Sequence, residues 1–172
     1  LVIIHAGSGP TNKDGNTIGA GANNSLKMIA ESLAEKGIAS IRFDKRGIGD
    51  NTALIKKEDD LTFDLYVEDV LAIVDYAKND DRFNEIHLLG HSEGALIMTV
   101  AAQQNDIASL ISIAGIGRPA DEVLMEQLSG SLPPNLLMES EKALQQLKAG
   151  KKVETVSEQL QSLFRPSVQP YM

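Results

Sequence analysis

The stretch whose residue types and spacing point most directly to chemistry is Gly90-His91-Ser92-Glu93-Gly94. A serine hydroxyl attacks poorly until a base takes its proton and the chain holds it within reach of a substrate. The Gly-x-Ser-x-Gly spacing answers the second need. The serine sits on a strained turn from strand to helix, and small residues on either side let the two elements approach closely. The helix that follows aims its N-terminus at the reacting atom and favours negative charge there. Ser92 is therefore the candidate nucleophile, with Gly90, His91 and Gly94 building the elbow. The pentapeptide alone is a weak signal. Its setting, apolar Ile86 to Leu89 before it and the small residues Gly94-Ala95 after it, makes it specific.

A serine that attacks a carbonyl also needs donors for the oxyanion that develops. One is expected from the backbone N–H of Glu93, the residue after the nucleophile. The other should come from the loop after an earlier strand. His5-Ala6-Gly7-Ser8-Gly9-Pro10 follows the apolar run Leu1 to Ile4, and its glycines let backbone come close to a ligand. Two registers are open, one selecting the Ser8 N–H and the other Gly7; Ser8 is preferred.

These residues need a frame. Leu1-Val2-Ile3-Ile4 reads as a strand buried on both faces. His5 to Gly21 reads as a long loop. A helix is expected over residues 25–36 with the stripe Leu26, Ile29, Ala30 and Leu33, stopped by Gly37. A strand over 38–43, a Gly-containing turn over 44–51 and a solvated charge cluster over 54–61 follow. Further on come a helix over 63–78, a strand over 85–89, a helix over 92–104 and a strand over 107–114. The β-α-β-α-β-α-β order predicts a mostly parallel sheet flanked by helices. After Gly115 the pattern is helical only, over 120–128, 134–148 and 153–164, and it ends loosely at 165–170. The expected division is a core over 1–116 and a helical cap or lid segment over 117–172.

Three stretches, in order and well spaced, resemble the α/β-hydrolase superfamily. They are Ala6-Gly7-Ser8-Gly9-Pro10-Thr11 with Asp14-Gly15-Asn16, then Phe43-Asp44-Lys45-Arg46-Gly47-Ile48-Gly49, then Leu89-Gly90-His91-Ser92-Glu93-Gly94. The resemblance is closest to the bacterial branch of serine aminopeptidases and monoglyceride-lipase-like esterases. It implies a Ser-His-Asp triad, no metal and no organic cofactor, and a helical cap after the sixth strand. The four strands would then be the third to sixth of eight, making this a partial fold.

In that family the acid and the histidine follow the nucleophile. Here the histidines are His5, His87 and His91, none of them after Ser92. His91 is expected to point away from the hydroxyl, His87 to be a satisfied core residue, and His5 to order the loop or touch substrate. Asp121 is expected to be a helix N-terminal carboxylate rather than the acid. Asp44, Lys45 and Arg46 are expected to form a structural turn. The leading expectation is a serine hydrolase cleaving carboxylic esters through an acyl-enzyme, with its Asp and His downstream of this chain and the 172 residues inactive alone. The alternative is a non-catalytic binding scaffold on the same fold.

Bulk properties narrow the rest. Lys plus Arg is 16 against 24 Asp plus Glu, a net charge of −8, which disfavours nucleic acid as a partner. The absence of cysteine removes disulfides, thiolate catalysis and cysteine metal sites. No apolar run reaches the ~20 residues of a membrane span. The expected partner is a small acyl substrate, in a cytoplasmic setting. Self-association is one way to cover the sheet edges that a four-stranded core would expose.

Overall fold

The computed structural model describes every residue of the chain except Ala20, which falls in the loop expected over His5 to Gly21. It divides into two compact units. One comprises Leu1–Ile55 and Asp64–Gly115, the other Lys56–Phe63 and Ile116–Met172.

The first unit is a four-stranded parallel sheet, ordered β2-β1-β3-β4. Its strands are β1 (Val2–His5), β2 (Ser40–Arg42), β3 (His87–His91) and β4 (Ser109–Ile113). The helices α1 (Ser25–Glu35), α2 (Phe63–Lys78) and α3 (Glu93–Ala102) alternate with them. Every residue of β1 is buried, as an apolar central strand covered on both faces requires. The expected stripe of α1 packs as predicted. Leu26 and Ala30 join Val2, Ile4, Ala6 and Leu89 in one cluster, with Ile29 and Leu33 packed against it. In α3, by contrast, Ile97 and Ala101 are fully buried while Leu96 and Thr99 are half-buried. This helix is apolar nearly all round, so its sequence does not reveal which side packs.

The strand order decides where a site can form. The chain steps from β1 to β2 on one side, then returns to place β3 on the other side of β1. Ile4 pairs with Leu89 and His5 with Gly90. The loops leaving β1 and β3 therefore diverge from neighbouring strand ends, the switch point where open α/β sheets bind ligands.

The second unit contains α4 (Ala120–Ser129), α5 (Pro134–Lys148) and the short α6 (Gln161–Phe164). Leu136, Ala143, Leu144, Val153, Leu160 and Phe164 form its core. Two expectations are corrected here. The helix predicted over 153–164 exists only from Glu158 onward. Residues 153–157 are held instead by side chains. The Val153 N–H donates to Gln169 Oε1 at 3.0 Å, and the Ser157 N–H to Glu139 Oε1 at 2.6 Å. The ending expected to be loose is a 3₁₀ turn, Pro166–Tyr171. It is anchored by Glu58, which accepts hydrogen bonds from Arg165 and from Ser167. Glu58 lies in the charge cluster. Its neighbours Lys56, Lys57, Asp59 and Asp60 are exposed as expected, but its own partners lie more than 100 residues away. Among the described residues no helix is long and apolar enough to cross a membrane.

Candidate active site

Ser92 stands between the end of β3 and the start of α3 with φ 55° and ψ −123°, a conformation that side chains rarely tolerate. Its N–H donates to the Ile113 carbonyl at 2.8 Å, which fixes the turn against β4. The glycines at either side leave no room for a Cβ. One built on Gly90 would lie 2.3 Å from the Gly94 oxygen and 2.4 Å from the Ala95 backbone. One built on Gly94 would lie 2.5 Å from the Ala6 oxygen. Strand, helix and the loop after β1 thus converge on one point, and only glycine permits it.

That loop meets the serine directly. A Cβ on Gly7 would sit 3.2 Å from the Ser92 Cβ and 3.2 Å from His91 Nδ1. Ser8 beside it is exposed. The Ser8 N–H has no backbone acceptor among the described residues. Glu93 is the first residue of α3, where backbone N–H groups project from the helix end.

The loop continues into a polar framework. The Asn12 side chain accepts from the N–H groups of Asp14 and Asn16, each at 3.0 Å. Asp44 is buried and accepts from the Lys13 N–H at 2.7 Å, the Asp50 N–H at 3.0 Å and Lys13 Nζ at 3.3 Å. Burial alone would raise the Asp44 carboxyl. The two backbone donors and the Lys13 ammonium outweigh it and hold the group below the usual carboxylate range. Arg46 forks onto Asp69 of α2 at 2.6 and 2.8 Å. The turn after β2 is therefore tied both to the loop after β1 and to α2.

The histidines fall out differently. His5 is buried, its Nδ1 2.7 Å from the Ala6 oxygen and its ring edge-on to Phe43 and Tyr66. Burial pulls it down to about 4, with the Ala6 contact opposing and the Lys45 charge assisting, so it is neutral near pH 7. It orders the loop from beneath. His87, at the opposite end of β3 from Ser92, is half-buried and bonded to Ser109 Oγ at 2.8 Å. His91 is half-buried against Gly7. Asp121 is held by Lys148 at 2.6 Å within the helical unit.

One residue was undervalued in the sequence. Lys45, expected only as part of a turn, is 2% exposed, and its Nζ donates to the carbonyls of Gly7 and Gly9. Nothing in the local sequence distinguishes it from a solvated lysine beside Asp44 and Arg46.

A family model described as serine aminopeptidase, S33, matches residues 21–165. The chain belongs to this α/β-hydrolase family. Esterase EstD of Thermotoga maritima is 31% identical over 174 residues, covering 99% of this chain and 36% of its own length. The chain thus spans about a third of that relative. Among solved α/β-hydrolases, mouse alpha/beta hydrolase domain-containing protein 10 aligns with TM-score 0.52 and 26% identity, over 92% of this chain and 52% of its own. GrgF from Penicillium sp. sh18 aligns with TM-score 0.56 and 22% identity, over 99% of this chain and 62% of its own, and speaks to the fold alone. The parallel sheet with flanking helices is the α/β-hydrolase architecture.

Proposed function

We propose that Ser92 is the nucleophile of an ester hydrolase. The observation that carries this reading is the strained backbone of Ser92 at the switch point, with Gly7 pressed against its Cβ. The likeness to a protein named an esterase supports the substrate class.

In this reading Ser92 Oγ attacks the ester carbonyl as a base removes its proton. The carbonyl oxygen becomes the oxyanion of a tetrahedral intermediate and is met by the N–H groups of Glu93 and Ser8. The intermediate collapses, the alcohol leaves with the returned proton, and the acyl group stays on Ser92. Water then attacks the acyl-enzyme through the same oxyanion site and releases the acid. Of the histidines here, His5 is buried beneath the loop, His87 lies at the far end of β3, and His91 Nδ1 is turned against Gly7. We therefore assign the base, and the acid that orients it, to residues downstream of Met172, as the family order has it. The segment 117–172 is read as that family's cap.

The test uses the full-length protein with a fluorophosphonate probe and p-nitrophenyl butyrate. Wild type should be labelled on Ser92 and turn over the ester, and Ser92→Ala should do neither. A wild type that resists the probe, or a Ser92→Ala variant that keeps its rate, would sink the assignment and favour a binding scaffold.

A further inference from the structure

We propose that Lys45 is a positioning residue that aims the Ser8 N–H at the oxyanion site by gripping the Gly7 carbonyl from inside the protein. The inference rests on the nucleophile reading of Ser92 and deepens it.

The argument begins with the peptide unit. The Gly7 carbonyl and the Ser8 N–H belong to one planar trans peptide, so they point in opposite directions. Lys45 Nζ holds the Gly7 oxygen at 2.5 Å and the Gly9 oxygen at 2.9 Å. With the oxygen drawn inward, the Ser8 N–H is turned outward, and Ser8 is the first exposed residue after the buried Ala6-Gly7. The preceding peptide is fixed in another way. Its Ala6 oxygen lies 2.7 Å from His5 Nδ1 and faces the tight approach of Gly94. The two candidate donors are thus set by separate holders, and only the Ser8 donor is set by a cation.

The energetics favour a dedicated role. An ammonium is strongly hydrated, and a methionine or leucine would fill the same space without that penalty. Lys45 accepts burial with two carbonyls and the face of Tyr66, 5.6 Å away, as its neighbours, and with the Glu93 carboxylate near enough to attract its charge. Bonds from a charged donor are roughly twice as strong as neutral ones, which sets this grip above the neutral bonds that Thr11 makes to the Ser8 and Gly9 oxygens. The lysine is in turn held by its neighbours, since Asp44 is locked to Lys13 and Asp50, and Arg46 to Asp69. A pre-aimed donor stabilises an oxyanion without reorganising during the reaction, and removing one such donor typically costs ~100- to 1,000-fold in kcat. Loosening its aim should cost less.

The experiment compares Lys45→Met and Lys45→Gln with wild type in the full-length protein. The readouts are turnover of p-nitrophenyl butyrate, the rate of fluorophosphonate labelling at Ser92, and affinity for an alkylboronic acid, which mimics the tetrahedral intermediate. Lys45→Met should lower kcat by about 10- to 100-fold and leave KM within about threefold. Boronate affinity should fall in step with kcat. Lys45→Gln retains a neutral donor and should recover part of the loss. It carries the test if the methionine variant does not fold, with boronate affinity again falling in step with kcat. Wild-type kcat and labelling rate in a folded variant would overturn the role of Lys45 while leaving Ser92 as nucleophile. A fall in kcat with boronate affinity unchanged would overturn it too. If wild type itself is not labelled at Ser92, both readings fall together.

Discussion

Replacing Lys45 by methionine should change how stability depends on pH. Burial pulls the Lys45 ammonium from 10.5 down to about 8, against the attraction of the Glu93 carboxylate. In the unfolded chain the same side chain keeps its proton up to the ordinary lysine range. Below about pH 8 both states are protonated, and the folded state carries the whole cost of the buried charge. Between about pH 8 and about pH 10.5 the unfolded state binds more protons, so the free energy of unfolding rises with pH. At about 1.4 kcal/mol per pH unit, the drop corresponds to about 3 kcal/mol gained by wild type across that window. Lys45→Met has no proton to lose there and serves as the reference, since both proteins share their other titrating groups. Tyr66 beside Lys45 is pushed up to about 12, mainly by burial, so it titrates above most of the window. Urea unfolding of the two proteins in parallel, from about pH 7 to about pH 10, measures the difference. Wild type should gain on the variant by one to three kcal/mol, roughly, as pH rises. Parallel curves, or a wild type that loses ground, would refute the claim that Lys45 is a desolvated cation.

Other outcomes follow from the same geometry. Ser92→Gly relieves the φ of 55° and should raise stability by about 1 kcal/mol while abolishing fluorophosphonate labelling; a destabilised variant would show that the turn is not strained. Gly90→Ala drives a Cβ to within 2.4 Å of the Gly94 and Ala95 backbone. It should cost about 1–3 kcal/mol and slow labelling at Ser92, whereas Gly117→Ala, in open space, should change stability by less than about 0.5 kcal/mol. The ring protons of His5, pulled down to about 4 by burial, should show no titration shift by NMR between about pH 7 and about pH 5.5. As pH falls from 6.5 toward 4 the unfolded state takes up the proton first, so His5→Phe should remove part of the acid sensitivity of the fold. A midpoint near 6.5 in the folded protein would contradict the burial.

Much of this was legible because it is local. A continuous apolar run sets β1, period-3.6 apolar patterns set α1 and α2, and a short motif between strand and helix marks Ser92. Elsewhere the local pattern is silent or is overridden by distant contacts. Residues 153–157 read on from the helical pattern that follows them, but β-branched Val153, Thr155 and Val156 are weak helix formers, and hydrogen bonds to Gln169 and Glu139 hold the segment out of a helix. Glu58 reads as one charge among five until Arg165 and Ser167 are brought to it.

The sequence alone determined the element order, the family and the residue whose hydroxyl could do chemistry, since each depends on neighbours a few positions apart. Tertiary structure decided what surrounds that hydroxyl. It set Gly7 of one loop against Ser92 of another through the order of parallel strands, whose pairing joins residues more than 80 positions apart. It also turned Lys45 inward beneath the loop. Burial and the aim of a peptide plane are properties of contacts across the fold, and no spacing along the chain encodes them.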